Sequence, residues 1–283
     1  MQLKGKVAVI TGGTRGLGFC TADALASTGA RVVVSSRSQE AVDEAVAVLI
    51  SRGYEASGIT TDVGDLQQVQ RLAQHAITHF GGLDIWINNA GVVAPYGPSI
   101  VVDPQDFYRV VQTNIIGVYH GSRTALHYFN SQKSGKLINI LGLGDSWAAP
   151  WQNTYAASKA WMRSYTKALA AENKGSGVSI IAFNPGMTRT DMLTEVDVIE
   201  GSEARLKVFP LIVRMWSNPP DVPAEKIAWL ASAATDGKTG LYVSLVRPGH
   251  ILQGLFKELK RTITGDNSLD VAINLHTVPP NDG

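Results

Sequence analysis

The chain has 283 residues, 45% hydrophobic and 17% charged, enough apolar material for a sizeable core, which excludes disorder of the whole chain. Lys and Arg number 25 against 24 Asp and Glu, a net charge of +1, so no general field draws the protein to nucleic acid or to an anionic membrane. A single cysteine (Cys20), no signal-peptide pattern after Met1 and no apolar run long enough to span a bilayer together lead us to expect a cytoplasmic protein without disulfides or a thiolate metal cluster.

Residues 7–10 form the first expected strand. Thr11-Gly12-Gly13-Thr14-Arg15-Gly16-Leu17-Gly18 follows directly, ahead of a helical pattern over 19–28. Glycines between a strand and a helix allow a tight turn and close approach of backbone to a pyrophosphate, and the new helix offers N–H groups at its positive end. A glycine turn can also be a mere connection; the placement between strand and helix favours the phosphate reading. The second strand, 31–35, runs into Ser36-Arg37-Ser38 with no acid. An acid about 20 residues beyond the loop would suit an unphosphorylated ribose. Here Arg37 can pair with a 2′-phosphate through charge-assisted bonds, helped by the Ser36 hydroxyl and by Arg15 as a second cation. The alternative is a pair of solvated surface arginines. The cofactor expected is therefore NADP(H).

Helical patterns over 39–52 and 66–80 flank a weak strand at 55–60, and a stronger strand follows at 83–87. His75 and His79 share a helix face, but a zinc site wants a third ligand and none is near, so they read as helix-surface histidines. After a strand at 136–140 comes the glycine-rich run Leu141-Gly142-Leu143-Gly144-Asp145-Ser146, then a helical pattern over 154–173 that carries Tyr155 and Lys159. Four apart on a helix, those two side chains meet. A tyrosine with an ordinary pKa of about 10 is a reluctant proton carrier at neutrality, and an adjacent ammonium is expected to lower it towards the working range. Strands at 178–183 and 241–245 complete the series. Between them, 187–223 breaks the alternation with Pro210, Pro219 and Pro220 around an apolar middle. The last thirty or so residues turn polar towards the end, with Pro279, Pro280 and Gly283, and the extreme tail reads as loose, while Glu258, Lys260 and Arg261 read as an ordinary charged helix face. Alternating strands and helices imply right-handed βαβ units: an α/β fold with a single doubly wound parallel sheet, helices on both faces, and ligands beyond the carboxyl ends of the strands.

The Gly-x-x-x-Gly-x-Gly spacing is joined in order by Asp62-Val63, Asn88-Asn89-Ala90-Gly91, Asn114, Tyr155-Ala156-Ala157-Ser158-Lys159 and Pro185-Gly186-Met187-Thr188-Arg189-Thr190. Over residues 3–250 this set resembles the short-chain dehydrogenase/reductase family. The resemblance implies a Rossmann-type domain over 1–250, with a substrate lid at about 187–223 and a C-terminal extension at 251–283. It implies hydride exchange between NADP(H) and a small carbonyl or alcohol, with Tyr155 passing the proton. Lys159 would tune Tyr155 and hold the nicotinamide ribose, and Asn114 would place a water between the lysine and solvent. Gly12, Thr14, Arg15, Gly16, Leu17 and Gly18 would cradle the pyrophosphate, Ser36 and Arg37 the ribose phosphate, and Asp62 and Val63 the adenine. Asn89, Ala90 and Gly91 would line the middle of the cofactor, and Pro185, Gly186, Thr188 and Thr190 its nicotinamide side. A homodimer or homotetramer is implied, with Trp161 and Met162 facing a partner subunit.

One family residue is missing. The serine expected thirteen positions before the tyrosine is Gly142, and losing an oxyanion donor costs on the order of 10²–10³ in rate. Ser146 reaches the site if the loop folds back; alternatively Asp145, a backbone N–H beside Gly142 or Gly144, or a substrate group stands in. Otherwise the protein is a catalytically weak or silent NADP(H)-binding regulator. The same glycines, with Asn184-Pro185-Gly186-Met187 and Thr190-Asp191-Met192-Leu193, are similar to chlorophyll b reductases, which reduce a formyl group on a large apolar ring. An apolar substrate is expected, contacted by Gly142, Asp145, Ser146, Met187 and Met192 and walled by Trp147 and Trp151; the alternative is that these side chains pack against the core or a neighbouring subunit.

Overall fold

The computed structural model describes residues 2–246 and 271–281, together with Gly254, Phe256 and Glu258. Its strands in chain order are β1 (Val7–Thr11), β2 (Arg31–Ser35), β3 (Ala56–Gly58), β4 (Ile85–Asn88), β5 (Gly135–Ile140), β6 (Val178–Asn184), β7 (Glu195–Ile199), β8 (Leu241–Ser244) and β9 (Asn274–Val278). The helices are α1 (Gly16–Ser27), α2 (Gln39–Ser51), α3 (Leu66–Phe80), α4 (Pro104–Val110), α5 (Gly117–Gln132), α6 (Asn153–Glu172), α7 (Asp191–Thr194), α8 (Phe209–Trp216) and α9 (Asp221–Ala231). A π-helical turn, Val111–Ile116, joins α4 to α5.

Seven strands make one parallel sheet in the order β3-β2-β1-β4-β5-β6-β8, the doubly wound arrangement expected. Every residue of β1 and β6 is buried, because helices cover both faces, and this is why the strands read as continuous apolar runs. On one face Leu25 of α1, Leu49 of α2 and Ile227 of α9 pack on the sheet; on the other lie Leu72 of α3, Phe129 of α5 and Leu169 of α6. Local chemistry sets the helix starts. Ser38 caps α2 by accepting from the Ala41 N–H, and Asp65 caps α3 through the Gln67 and Gln68 N–H groups, while Gln68 reaches back to Asp65. The strand order reverses between β1 and β4, so their carboxyl ends open a crevice for a ligand.

Outside the seven-stranded sheet, two further segments carry regular structure. The 187–223 segment is built from α7, β7 and α8. Over Asn274–Val278 the tail is a strand: β9 pairs in parallel with β7, from Glu195 opposite Asn274 to Ile199 opposite Val278. Asn274 Nδ2 and His276 Nε2 both meet the Glu195 carboxylate at 2.7 Å. On its other edge β7 takes a bridge from Tyr96, whose N–H donates to Asp197 O at 2.8 Å. Backbone groups of β7 left open by the main sheet need partners, and the chain end supplies them. Glu258 is likewise not an open charge, since it pairs bidentately with Arg214 of α8 at 2.7 and 2.9 Å; Lys260 and Arg261 lie outside the described residues. His75 makes a 2.7 Å hydrogen bond with Ser57 Oγ and stacks on His79.

Candidate active site

The glycine loop closes against the end of β4. Gly12 has φ +62°, and a Cβ there would stand 2.9 Å from Ala90 Cα; a Cβ on Gly18 would overlap the Gly12 carbonyl. Only glycine fits either place. Arg15 begins α1 with no side-chain cap, which leaves the N–H groups of Gly16, Leu17 and Gly18 facing an anion's position at the positive end of the helix. Thr11 Oγ1 accepts from the Asn89 and Ala90 N–H groups, and Asn89 Nδ2 donates to the Thr11 and Gly12 carbonyls at 3.0 Å each. The Asn89 side chain is therefore a strut behind the loop and is not turned to a ligand, and Thr11, which sequence reading passed over, is its counterpart. Thr14 lies half-buried in the same loop.

Arg37 stands exposed beyond β2 with no ion-pair partner among the described residues, while the Ser36 hydroxyl closes a local turn with Ser38. Arg15 Nη1 lies 3.4 Å from Asp191 of α7, both well exposed. Thr61 N–H donates to Ser36 O, bringing Asp62 and buried Val63 alongside; Asp62 Oδ1 accepts from the Gly64 N–H at 2.9 Å.

Beneath the crevice the catalytic candidates converge. Asn114 lies fully buried in the π-helical turn, a distortion frequent at functional sites. Its Oδ1 accepts from the Val92 N–H, and its Nδ2 donates to Val92 O and Ser158 Oγ. Lys159 Nζ donates to Ile140 O at 2.9 Å and sits 5.4 Å from the centre of the Tyr155 ring. Gly91 is the meeting point, since a Cβ there would lie 3.6 Å from Asn114 Oδ1 and 3.8 Å from Lys159 Nζ. Tyr155 Oη has no hydrogen-bond partner among the described residues and packs against Gly142, where a Cβ would stand only 2.5 Å away. The phenol occupies the space a side chain at 142 would need.

The electrostatics correct the expectation for Tyr155. Burial, with the negative charge of Asp145 added, pushes the phenol up to about 12, so the ammonium does not bring it towards neutrality in the cofactor-free protein. Lys159 is itself desolvated and brought down to about 8, with Asp145 opposing the fall. Desolvation outweighs the attraction between neighbours here.

Asp145 and Ser146 are not placed to contact a substrate beside Tyr155. Asp145 is buried, and its carboxylate accepts from Ser146 Oγ at 2.7 Å and from Asn184 Nδ2 and Tyr242 Oη at 3.0 Å each. Ser146 Oγ also accepts from Arg163, so the hydroxyl on which the fold-back account of the missing serine depends is engaged by Asp145 and Arg163. Ser146 and Trp147 line a separate cavity with Ala156, Ala160 and Arg163, and neither Gly142 nor Tyr155 lines it. Trp151 is wedged between the Tyr96 ring and the Arg205 guanidinium. Met162 is buried against Val118, Leu141 and Ala182 and faces no partner, whereas Trp161 stacks on Tyr165 at 4.7 Å.

On the lid side, Asn184 Oδ1 accepts from the Gly186 N–H, directing the chain through Pro185 towards Met187, whose carbonyl accepts from the Asn218 N–H. Thr188 Oγ1 is buried without a hydrogen-bond partner, an orphan of the kind a polar ligand group satisfies. Thr190 packs over Gly16, and Met192 is 43% exposed on α7. No group of three or more His, Cys, Asp or Glu that could hold a metal occurs among the described residues.

The sequence model of the short chain dehydrogenases matches residues 6–199. The chain belongs to the short-chain dehydrogenase family. These are oxidoreductases acting on CH–OH and C=O groups. Among similar proteins, 3beta-hydroxysteroid dehydrogenase 1 of Eggerthella lenta is 34% identical, the alignment covering 84% of this chain and 91% of the relative. A 3-oxoacyl-[acyl-carrier-protein] reductase of Synechocystis is 33% identical over 81% and 90%. In structure, this dehydrogenase superposes on a 3-ketoacyl-(acyl-carrier-protein) reductase of Brucella melitensis complexed with NADH, with a TM-score of 0.76, 29% identity and coverage of 86% and 98%. It also superposes on a gluconate 5-dehydrogenase of Burkholderia cenocepacia in complex with NADP and tartrate, with a TM-score of 0.77, 27% identity and coverage of 89% and 97%. No helix among the described residues of this dehydrogenase is long and apolar enough to cross a membrane. None of the relatives named is a chlorophyll b reductase, so that likeness adds nothing to the assignment.

Proposed function

We propose that the protein is an NADP(H)-dependent reductase of a small apolar carbonyl compound, with Tyr155 as the proton carrier. One observation carries the reading: the Tyr155 hydroxyl, beside Lys159 and without a hydrogen-bond partner among the described residues, points at the bare backbone of Gly142. A bound nicotinamide dinucleotide supplies the hydride.

The residues present fit that cofactor. The glycine loop and the start of α1 hold the pyrophosphate, Arg37 pairs with a 2′-phosphate beside Ser36, and the orphaned Thr188 hydroxyl takes up a polar group of the nicotinamide end. Lys159 keeps its ammonium against Ile140 O and Tyr155. The phenol, held near 12, stays protonated through neutrality and is suited to donating. In place of the missing serine, the Gly142 N–H is the donor to the substrate oxygen: it has no acceptor among the described residues, while the Gly142 carbonyl is engaged by Asn184 Nδ2 and the Asp145 N–H. Leu143 and Met192, 48% and 43% exposed, give an apolar rim. The exposed side of α5 and α6, carrying Tyr119 and the stacked Trp161 and Tyr165, is the surface for a subunit partner.

The test is loss of NADPH absorbance against a panel of apolar aldehydes and ketones, with Tyr155→Phe alongside. We expect Tyr155→Phe to lower kcat by roughly 10²–10⁴-fold with NADPH affinity retained; equal rates would remove Tyr155 from the role. A silent cofactor-binding protein, the reading motivated by the missing serine alone, would instead show calorimetric NADPH binding and no turnover on any member of the panel.

A further inference from the structure

Trp151 stands just ahead of α6 with φ +63°. Besides glycines, only Lys133 shares a positive φ among the described residues, and it is the C-cap of α5, where the left-handed conformation is ordinary. A bulky side chain in that region is strained, and such a backbone persists only where its surroundings over-determine it. At Trp151 both backbone and ring are engaged. Its carbonyl accepts from the Gly97 N–H at 3.1 Å; beside it, Gln152 Nε2 donates to Ala94 O and Asn153 Nδ2 to Ser99 Oγ. These bonds pin the first turn of α6, which has no side-chain cap and carries Tyr155, to residues 94–99. The ring makes a second set of contacts. It stacks with Tyr96 at 6.4 Å and 25°, and the Arg205 guanidinium lies 4.3 Å from its centre. Tyr96 is itself bound to β7, its N–H donating to Asp197 O at 2.8 Å and its carbonyl accepting from the Ile199 N–H at 2.9 Å. A Cβ on Gly97 would stand 2.5 Å from Ile199 Cγ1, so the two backbones touch. The Arg205 guanidinium has no hydrogen bond or ion pair among the described residues, so the Trp151 ring is what holds it.

We propose that Trp151 is a positioning residue: its ring, stacked with Tyr96 and capped by the Arg205 guanidinium, holds residues 195–206 of the substrate lid against the first turn of the helix that carries Tyr155. Backbone and side chain have separate tasks. The backbone of residue 151 sets the start of α6, and glycine would do that without strain. The ring is what glycine would lack, and its contacts run to Arg205 of the lid and to the Tyr96 segment that bridges β7. Tryptophan is also the best of the aromatic faces for a cation. Trp151 acts through the lid, so its effect falls on capture of the carbonyl compound and leaves the proton transfer at Tyr155 alone. This deepens the carbonyl reduction proposed above and rests on it.

Three variants separate the ring from the backbone. Trp151→Gly removes ring and strain, Trp151→Ala removes the ring and keeps the strain, and Trp151→Phe keeps an aromatic face. With an apolar aldehyde turned over in the NADPH assay, the Gly and Ala variants are both expected to raise KM by roughly tenfold. Their kcat and calorimetric NADPH affinity should change little, and Trp151→Phe should restore most of the KM. Arg205→Leu takes the cation away from the lid side and is expected to raise KM in the same direction. Combined with Trp151→Gly it should add nothing, because the two share one contact. Hydrogen exchange on the ligand-free protein reads the latch without turnover. The Tyr96 and Ile199 amides should exchange faster in Trp151→Gly and as in wild type in Trp151→Phe, with the amides of β1 and β5 unchanged. A KM raised in Trp151→Ala but normal in Trp151→Gly would tie the effect to the backbone and overturn the proposal. So would kcat and NADPH affinity falling together with KM in Trp151→Gly, or fully additive effects of Trp151→Gly and Arg205→Leu. If Trp151→Gly does not fold, Arg205→Leu, at an exposed position, decides alone: unchanged exchange at Tyr96 and Ile199 refutes the latch. Full activity in Tyr155→Phe would defeat the proposed reaction yet leave the exchange results standing, so the two failures are distinguishable.

Discussion

Giving residue 142 a side chain sets two physical effects against each other. A Cβ on Gly142 would stand 2.5 Å from Tyr155 Oη, 3.4 Å from its Cζ and 3.6 Å from Lys159 Cε. Nonbonded heavy atoms rest at about 3.5 Å, so the phenol must retreat by about 1 Å. Swinging the ring off its rotamer costs about 0.5–1.5 kcal/mol, and a reacting group misplaced by 1 Å loses on the order of 10² in rate. A serine hydroxyl acting as an oxyanion donor would give back on the order of 10²–10³, but only with the proton carrier in place, and here the new Cβ displaces it. Gly142→Ser is therefore expected to lower kcat for carbonyl reduction by roughly 10²-fold, and Gly142→Ala to do the same, because the clash belongs to the Cβ. Steady-state NADPH oxidation measures both, with calorimetric NADPH affinity as the control for folding. A rise in kcat for Gly142→Ser with Gly142→Ala unchanged would refute the reasoning.

Arg37→Glu is expected to raise KM for NADPH by about tenfold or more, a loss of roughly 1.4 kcal/mol in a charge-assisted contact, while leaving KM for NADH little changed; equal effects on the two cofactors would dismiss the phosphate contact. Lys159→Met is expected to abolish activity and yet stabilise the fold. The folded-state pKa of about 8 lies below the ordinary 10.5, so the unfolded chain binds that proton more tightly and the charged lysine destabilises below pH 8, a penalty that fades as pH rises from 8 to 10.5. After the lost bond to Ile140 O is deducted, the gain at pH 7 is about 1–2 kcal/mol, to be read by urea denaturation at pH 7 and at pH 10; a variant less stable at both would contradict the burial argument. Truncation ahead of Asn274 is expected to expose β7 to limited proteolysis and to raise KM for the carbonyl substrate, with the main sheet intact by circular dichroism; a cleavage pattern unchanged in β7 would show that β9 does not hold it.

What could be read from the sequence follows the range of the interactions. The glycine loop, the Tyr155–Lys159 face and the six strong strands depend on neighbours a few residues away, and all are present, with β4 shifted to Ile85–Asn88 and the weak strand shortened to Ala56–Gly58. Spacing puts a lysine beside a tyrosine, but it carries no information on how much water remains there, and so it misjudged the direction in which Tyr155 is shifted. The Asp145 clamp was illegible because Tyr242 lies 97 positions away. Met162 was assigned to a partner because a helix pattern alone does not say which apolar stripe meets the protein's own β6 and α5. Asn89 matched its motif, yet its amide is turned to Thr11 and Gly12, a distinction that only coordinates supply.

The pairing of β7 with β9 spans about 80 positions, Glu195 meeting Asn274 across 79 of them. A chain emerging from the ribosome completes the seven-stranded sheet at Leu241–Ser244, whereas β7 waits for its second neighbour until residue 278 has appeared. β7 is thus a strand whose second edge is satisfied by a segment about 80 positions further along the chain.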